Sequence, residues 1–157
     1  MNDMSKIHIM PNKQFKNILT KDRSVYAILC SSYGFDECEY SGNNILKLCF
    51  QDVTKKDRLD CFKKEHAEMI KKFLVQGNIN ELYVCCDSGE SRSTAIAAAI
   101  MKYYGQNDRI IWENPIYHPN ILVYKTLCGI LGVFMPDFRV MFRKHLNERA
   151  FKRAMKR

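Results

Sequence analysis

The chain lacks any long apolar run. Lys and Arg interrupt every candidate, and none reaches the roughly 18 residues that a membrane span requires. The first ten residues mix Asn, Asp, Ser, Lys and His with apolar residues and lack the apolar stretch of a secretory signal. We therefore expect a soluble protein with no membrane span and no export signal.

The sequence also lacks the cysteine spacing of a zinc site or a disulfide framework. Its cysteine count is odd, and no Cys-x-x-Cys pair is repeated. His8, His118 and His145 form no metal-spaced set. We expect reduced thiols in the cytoplasm and no metal. The seven cysteines are Cys30, Cys38, Cys49, Cys61, Cys85, Cys86 and Cys128.

No Gly/Ser-rich or Pro-rich linker, internal repeat or low-complexity tract divides the chain. With 157 residues, of which 46% are hydrophobic and 27% charged, it fits one globular domain with a core of its own. We expect residues 1–136 to form an α/β domain. Residues 137–157 are expected to add a basic amphipathic helix to the same domain.

Positive charge is concentrated at the C-terminus. Residues 139–157 hold eight Lys or Arg against one acid, Glu148, whereas the rest of the chain is nearly neutral. The bases are interpreted as a solvated helix face, or as a surface that binds nucleic acid or an anionic surface. The apolar stripe of this helix is expected to pack on the domain; it consists of Phe138, Met141, Phe142 and Leu146.

Short apolar runs alternate with segments of helical periodicity, a pattern typical of βαβ units. The runs are nearly continuous, as in strands that are covered on both faces. We therefore predict an α/β fold with a central, mainly parallel sheet of four or five strands flanked by helices. The predicted strands are Ile7–Met10, Val25–Leu29, Ile45–Phe50 and Leu82–Cys85, with a further candidate at Ile110–Trp112.

Helices are predicted where apolar residues recur every three or four positions. The segment from Lys56 to Val75 has this pattern, and Gly34–Asn44 between two strands has the composition of a loop. The Ala-rich run Ser93–Tyr104 is apolar nearly all round and predicts a buried helix. The remaining predicted helices are Asn12–Leu19, Asn120–Leu131 and Asp137 to about Ala154.

The segment between the last predicted strand and the Ala-rich helix carries the chemistry. It reads Cys86-Asp87-Ser88-Gly89-Glu90-Ser91-Arg92-Ser93, a Cys-x5-Arg pair with Gly midway and a hydroxyl residue after the Arg. Backbone N–H groups between such a pair can curl around a phosphate, and the following helix points its positive end at the same place. Gly89 supplies the backbone freedom that the curl needs.

Each polar side chain of this segment suits phosphoryl transfer. Arg92 has a planar fork that can bind two phosphate oxygens. Cys86 lies in the field of the N–H groups and Arg92, a setting that favours the thiolate. Ser93 can donate a hydrogen bond to that sulfur when it leaves.

These eight residues resemble the signature loop of the protein tyrosine and dual-specificity phosphatase superfamily. The segment looks most like a small microbial branch whose loop reads Cys-Asp-Ala-Gly-x-Ser-Arg-Ser, and the similarity extends over roughly Ile45 to Leu127. The resemblance implies that Cys86 is the nucleophile of a phosphocysteine intermediate, that Arg92 binds the phosphoryl group and that Ser93 assists. The cradle would be Asp87, Ser88, Gly89, Glu90 and Ser91.

The resemblance further implies a phosphorylated protein or another phosphate monoester as substrate, with no metal and no organic cofactor. The chain departs from the family at two positions. Cys85 stands where the family usually has His, so one contributor to thiolate stabilisation is missing. Glu90 stands at a place that is more often small or apolar, and its carboxylate would repel an anionic substrate at the rim.

The resemblance also requires an upstream Asp as general acid. Asp52 directly follows a predicted strand, and it precedes Cys86 at the separation that is usual in the family. Asp57 is the second candidate and Asp60 the third, because propensity does not determine which side chain reaches the site. Asn120, before a predicted helix, is either at the pocket rim or the N-cap of that helix.

Other interpretations remain open at this point. Cys86 could be a small buried hydrophobe, and Cys85 could be inert or could protect Cys86 by redox exchange. The loop could serve a catalytically weak phosphate-recognition module, because an intact cradle binds phosphate whether or not an acid is present. A phosphatase of this type could also act on RNA 5′-phosphates or phosphoinositides, for which the basic tail is the only indication.

Overall fold

A computed structural model describes residues 4–36, 39–42 and 44–156 of the chain. Its strands form one sheet in which every pairing is parallel, in the order β1-β4-β2-β3. The predicted α/β fold with a parallel sheet is therefore confirmed. The strands are β1 (Lys6–Pro11), β2 (Tyr26–Ser31), β3 (Ile45–Cys49) and β4 (Glu81–Cys86).

Helices cover both faces of the sheet. One helix packs against β1 and β4 on one face, and the other five helices contribute buried residues to the larger core on the opposite face. Alternate residues of β2 serve the two cores: Ala27 and Leu29 face the smaller one, Ile28 and Cys30 the larger one. The helices are α1 (Asn12–Lys21), α2 (Lys64–Gln76), α3 (Arg92–Tyr103), α4 (Arg109–Trp112), α5 (Ile121–Leu131) and α6 (Asp137–Ala154).

Because the strands are parallel, their carboxyl ends meet at one edge of the sheet. The segments that follow β1, β2, β3 and β4 begin at Asn12, Ser32, Phe50 and Asp87. In an open α/β sheet this edge is where ligands bind. The fold therefore brings four segments that are distant in sequence to one place.

The prediction of a strand at Ile110–Trp112 is wrong. These residues belong to the short helix α4, in which Ile111 and Trp112 are buried. Trp112 Nε1 donates a hydrogen bond of 2.9 Å to the carboxylate of Asp108, four residues earlier. A short apolar run does not distinguish a strand from a buried helical turn. Here the run forms a helical turn, and the bond between Trp112 and Asp108 spans the four residues of that turn.

The helix predicted from Lys56 to Val75 starts later than expected, because α2 begins at Lys64. Before it, the backbone N–H of Gln51 donates to the Asp60 carbonyl and closes a loop over residues 51–60. Leu59, an apolar residue of the predicted helix, is 90% exposed on this loop. The helix starts where the backbone N–H of Lys63 donates to His66 Nδ1 at 3.0 Å.

The prediction that the apolar stripe of α6 packs on the domain is also wrong for most of its residues. Phe138, Met141 and Phe142 are 70%, 61% and 56% exposed, and of the predicted set Leu146 alone is buried. The face that packs instead carries Val140 together with Arg143 and Asn147, which bond to the domain through polar groups.

The loop predicted over Gly34–Asn44 includes Glu37, Cys38 and Asn43, which lie outside the described residues. The described part of that stretch contains neither helix nor strand. Among the helices of the described residues, none is both long and apolar enough to cross a membrane.

Candidate active site

The signature segment connects β4 to α3 and curls at Gly89. Gly89 has a φ of +76°, a conformation that favours glycine. A Cβ at this position would lie 2.8 Å from the carbonyl carbon of Met10 and from the nitrogen of Pro11. The curl therefore packs directly on the end of β1, with no room for a side chain.

Cys86 lies at the base of this curl and is 1% exposed. Its Sγ accepts a hydrogen bond from the backbone N–H of Gly89 at 3.2 Å. The Ser93 hydroxyl lies 3.1 Å from the same sulfur. The sulfur thus has two polar neighbours that can stabilise negative charge.

Arg92 is 4% exposed, and both terminal nitrogens of its guanidinium donate hydrogen bonds to the fold. Nη1 donates to the Phe50 carbonyl at 2.8 Å and to Ser32 Oγ at 3.0 Å, and Nη2 donates to Asp87 Oδ2 at 2.6 Å. Nε is buried and has no hydrogen-bond partner among the described residues. Because a buried donor without an acceptor costs free energy, this N–H is suited to a ligand oxygen.

Asp87 is the residue that anchors Arg92 within the cradle. Its carboxylate also accepts from the backbone N–H of Ser32 at 3.2 Å and from Asn12 Nδ2 at 3.4 Å. Partial burial alone would raise the pKa of Asp87, but the hydrogen bond and charge of Arg92 outweigh it and hold the pKa below its usual range. Asp87 is therefore a carboxylate that orients the guanidinium.

Asp52 lies at the edge of the same cradle, after β3. Its Oδ1 accepts hydrogen bonds from Ser91 Oγ at 2.9 Å and from Asn120 Nδ2 at 2.7 Å. Asn120 fulfils both roles that the sequence left open, because its Oδ1 also accepts from the backbone N–H of Val123 and caps α5. The carboxylate of Asp52 is exposed and is tied to the signature segment.

The two other acid candidates lie on the loop that leads to α2. Asp60 pairs with Arg58 at 3.4 Å, and this hydrogen bond lowers the pKa of Asp60. Asp57 is exposed on the same loop. The structure brings Asp52 to the cradle, whereas the contacts of Asp60 are with its own loop.

Glu90 presents its main chain to the fold and its side chain to solvent. Its carbonyl accepts from the backbone N–H of His118 at 2.9 Å and from Thr94 Oγ1 at 2.8 Å. These bonds connect the cradle to the segment before α5. Ser88 is likewise exposed.

Cys85, beside the proposed nucleophile, belongs to the opposite face of the sheet. It is fully buried in the smaller core with Phe15 and Leu29. Burial raises the pKa of the Cys85 thiol far above its usual range, and the neighbouring Cys86 adds to this. Cys30 is likewise buried with a strongly raised pKa. Both are protonated thiols at neutral pH.

Sequence reasoning missed three groups that hold Arg92 and Asp87: Asn12, Ser32 and the Phe50 carbonyl. None lies in a motif, and all three are far from the signature segment in sequence. The one available signal was their position at the carboxyl ends of predicted strands, where α/β sites assemble: Phe50 ends one predicted strand, and Asn12 and Ser32 follow two others by two and three residues.

No group of three or more His, Cys, Asp or Glu side chains in the described part of the chain could hold a metal ion. The donors of the cradle are N–H, hydroxyl and guanidinium groups, a set that binds an oxyanion rather than a cation. The described cysteines are free thiols.

No family model matches the chain, and none of the curated proteins matches it. Several solved structures match it in fold. The PTP-2 phosphatase of Cydia pomonella superposes with a TM-score of 0.55 at 15% identity, over 82% of this chain and 90% of that one. DUSP15 superposes with a TM-score of 0.51 at 18% identity, over 98% and 95% of the two chains. The chain therefore has the α/β fold of the tyrosine and dual-specificity phosphatases.

Proposed function

We propose that this chain is a cysteine-dependent phosphatase that hydrolyses phosphate monoesters through a phosphocysteine intermediate. One observation carries the proposal: the Cys86 sulfur and the unpartnered Nε of Arg92 belong to one buried cradle at the head of α3. A phosphoryl group bound there would give Arg92 the acceptor that it lacks.

In the first step the Cys86 thiolate attacks phosphorus. The S–P bond forms, the ester P–O bond breaks, and Asp52 gives its proton to the leaving oxygen. Asp52 is supported as the acid by its bonds to Ser91 and Asn120, which hold its carboxyl at the cradle. The charge on the transferring oxygens is stabilised by the backbone N–H groups and Arg92.

In the second step water attacks the phosphocysteine. Asp52, now a carboxylate, accepts a proton from that water; the new P–O bond forms and the S–P bond breaks, which releases inorganic phosphate and the thiolate. The Ser93 hydroxyl and the Gly89 N–H, both near the sulfur, stabilise the leaving thiolate. Neither step needs a metal or an organic cofactor.

The substrate class follows from the same site. Phosphorylated tyrosine or serine and threonine side chains both fit a phosphoryl cradle, and Glu90 at its exposed rim would disfavour strongly acidic substrates. We assign the chain to the small microbial branch on the loop residues Cys86 to Ser93. Its free thiols suit a reducing cytoplasm.

The test is hydrolysis of an aryl phosphate by the purified protein in the presence of reductant and chelator. We expect turnover by the wild type and none by Cys86→Ser, because a hydroxyl in this cradle is far less nucleophilic than a thiolate. Cys85→Ala is the matched control, since it removes the adjacent thiol from the other face of the sheet. It should retain activity.

Two results would reject the proposal. Turnover that survives in a folded Cys86→Ser variant would show that Cys86 is not the nucleophile. Phosphate binding without turnover in the wild type would identify the chain as a phosphate-recognition module instead.

A further inference from the structure

Helix α6 has two different faces, and only one of them packs against the rest of the described domain. Arg143 bonds to the buried carboxylate of Asp108, and Asn147 Nδ2 donates to the Tyr117 carbonyl at 2.7 Å. Val140 and Leu146 are buried on the same side. This packing leaves the opposite face of an 18-residue helix open.

The open face carries large apolar side chains in its N-terminal half. Phe138, Met141 and Phe142 recur at the spacing of one helix face, and Phe134 lies three residues before the start of the helix. All four are more than half exposed: Phe134 by 75%, Phe138 by 70%, Met141 by 61% and Phe142 by 56%. Four such side chains mark an interaction surface.

The C-terminal half of the same face is basic. Arg149 and Lys152 follow Phe138 by about three and four helical turns, which places them on the same side of the helix, and Lys156 follows two residues after the helix ends. All three are exposed. Arg139 flanks the apolar half and lies over the Phe134 ring at 5.8 Å. Residues 139–157 contain one acid, Glu148.

We propose that this face of α6 docks on an anionic lipid surface, with the four apolar side chains inserted at the headgroup boundary and the bases against lipid phosphates. Aromatic side chains beside Lys and Arg on one helix are the pattern of an interfacial helix. A second copy of the chain is disfavoured as the occupant, because parallel pairing of two α6 helices would bring the bases together and antiparallel pairing would set the basic half of one against the apolar half of the other. Nucleic acid would use the bases and leave the apolar stripe unpaired.

The test is cosedimentation of the full chain with vesicles of phosphatidylcholine that contain phosphatidylserine, compared with phosphatidylcholine alone. We expect binding to the anionic vesicles that weakens with salt. Phe138→Ser combined with Phe142→Ser should weaken it at least about tenfold. Arg149→Gln combined with Lys152→Gln should weaken it by about fivefold for each charge removed.

Matched controls remove similar groups elsewhere. Leu59→Ser takes away an apolar side chain that is 90% exposed, and Lys71→Gln with Lys72→Gln removes two exposed charges from α2. Neither control should change vesicle binding. Cys86→Ser should bind as the wild type does, so the result does not depend on the proposed phosphatase activity.

The proposal is overturned if the wild type ignores anionic vesicles, or if the controls lose binding as much as the α6 variants. It is also overturned if single-stranded RNA or polyglutamate binds equally well and independently of Phe138 and Phe142, because the surface would then be a nucleic-acid or protein site.

Discussion

In the described part of the chain, an aspartate holds the buried Arg92 and another holds the largely buried Arg143, and the two arginines differ in which nitrogens have a partner. Arg143 binds Asp108 with two nitrogens, Nε at 2.6 Å and Nη2 at 2.9 Å, and its Nη1 donates to the Arg139 carbonyl. Arg92 binds Asp87 through Nη2 alone, and its buried Nε has no partner in the described part of the chain. Every guanidinium nitrogen of Arg143 therefore has a partner, whereas Nε of Arg92 has none among the described residues.

The two carboxylates that bind these arginines, Asp108 and Asp87, also differ in their surroundings. Asp108 is 1% exposed and also accepts from Trp112 and the Tyr124 hydroxyl, so every neighbour belongs to the fold. Asp87 is partly exposed at the cradle. A saturated buried pair fixes structure, whereas a buried pair with one open donor is prepared to bind a ligand. We therefore expect substitutions in the Arg143–Asp108 pair to reduce mainly stability, and substitutions in the Arg92–Asp87 pair to reduce mainly activity.

The strongest test of the comparison exchanges each arginine for lysine, which keeps the charge and loses the fork. Arg92→Lys should reduce kcat/KM for an aryl phosphate by about 10²–10³-fold, because an ammonium cannot keep the outer bonds and also bind phosphate. Arg143→Lys should keep the wild-type rate within about twofold per folded molecule. Steady-state kinetics on both variants measures this, and equal losses would contradict the division.

The second test removes the structural carboxylate. Asp108→Ala should lower the free energy of unfolding by about 3–5 kcal/mol, because it leaves Arg143 buried without its partner. Urea unfolding measures the loss, and the milder Asp108→Asn provides a variant that folds if the first does not. The rate per folded molecule should stay unchanged.

The pH dependence of that loss checks that charge is its cause. Burial alone would raise the pKa of Asp108, but the bonds from Arg143 and Tyr124 outweigh it and lower the pKa. The stabilisation is then complete above the unfolded pKa of about 4 and disappears as the pH falls through the lower folded value. The difference between wild type and Asp108→Ala should shrink in acid; a constant difference would implicate packing instead.

The third test removes the carboxylate that orients Arg92. Asp87→Ala should lower kcat/KM by about 10–100-fold through misplacement of the guanidinium. Its loss of unfolding free energy should be smaller than that of Asp108→Ala, because Asp87 is partly exposed and water can take the place of its carboxylate. If Asp87 only repelled the substrate, the variant would bind inorganic phosphate more tightly and turn over faster. Inhibition by phosphate, measured beside the rate, separates the two roles.

The cradle and the strands could be predicted from the sequence because both are local. Cys86, Gly89 and Arg92 are close in the chain, and nearly continuous apolar runs identify buried parallel strands. The groups that orient Arg92 could not be predicted, since Ser32, which bonds Arg92, and Asn12, which bonds Asp87, reach the cradle only through the strand order.

The buried face of α6 could not be predicted for a different reason. The helix has apolar residues on two sides, and periodicity alone does not select between them. The selection is made by Asp108 and Asn147, whose polar bonds hold the side that carries Arg143 and Val140 against the domain. The more apolar stripe is consequently the one that stays exposed.

The most direct test of the phosphocysteine mechanism is the mass of the Cys86 peptide after the protein is mixed with an activated aryl phosphate and stopped with denaturant. Such a leaving group departs without a proton, whereas hydrolysis of the intermediate needs Asp52 as base. We therefore expect Asp52→Asn to accumulate one phosphoryl group on Cys86, above the wild-type level. Turnover with no phosphoryl group on Cys86 in either protein, or with the group on another residue, would contradict the account.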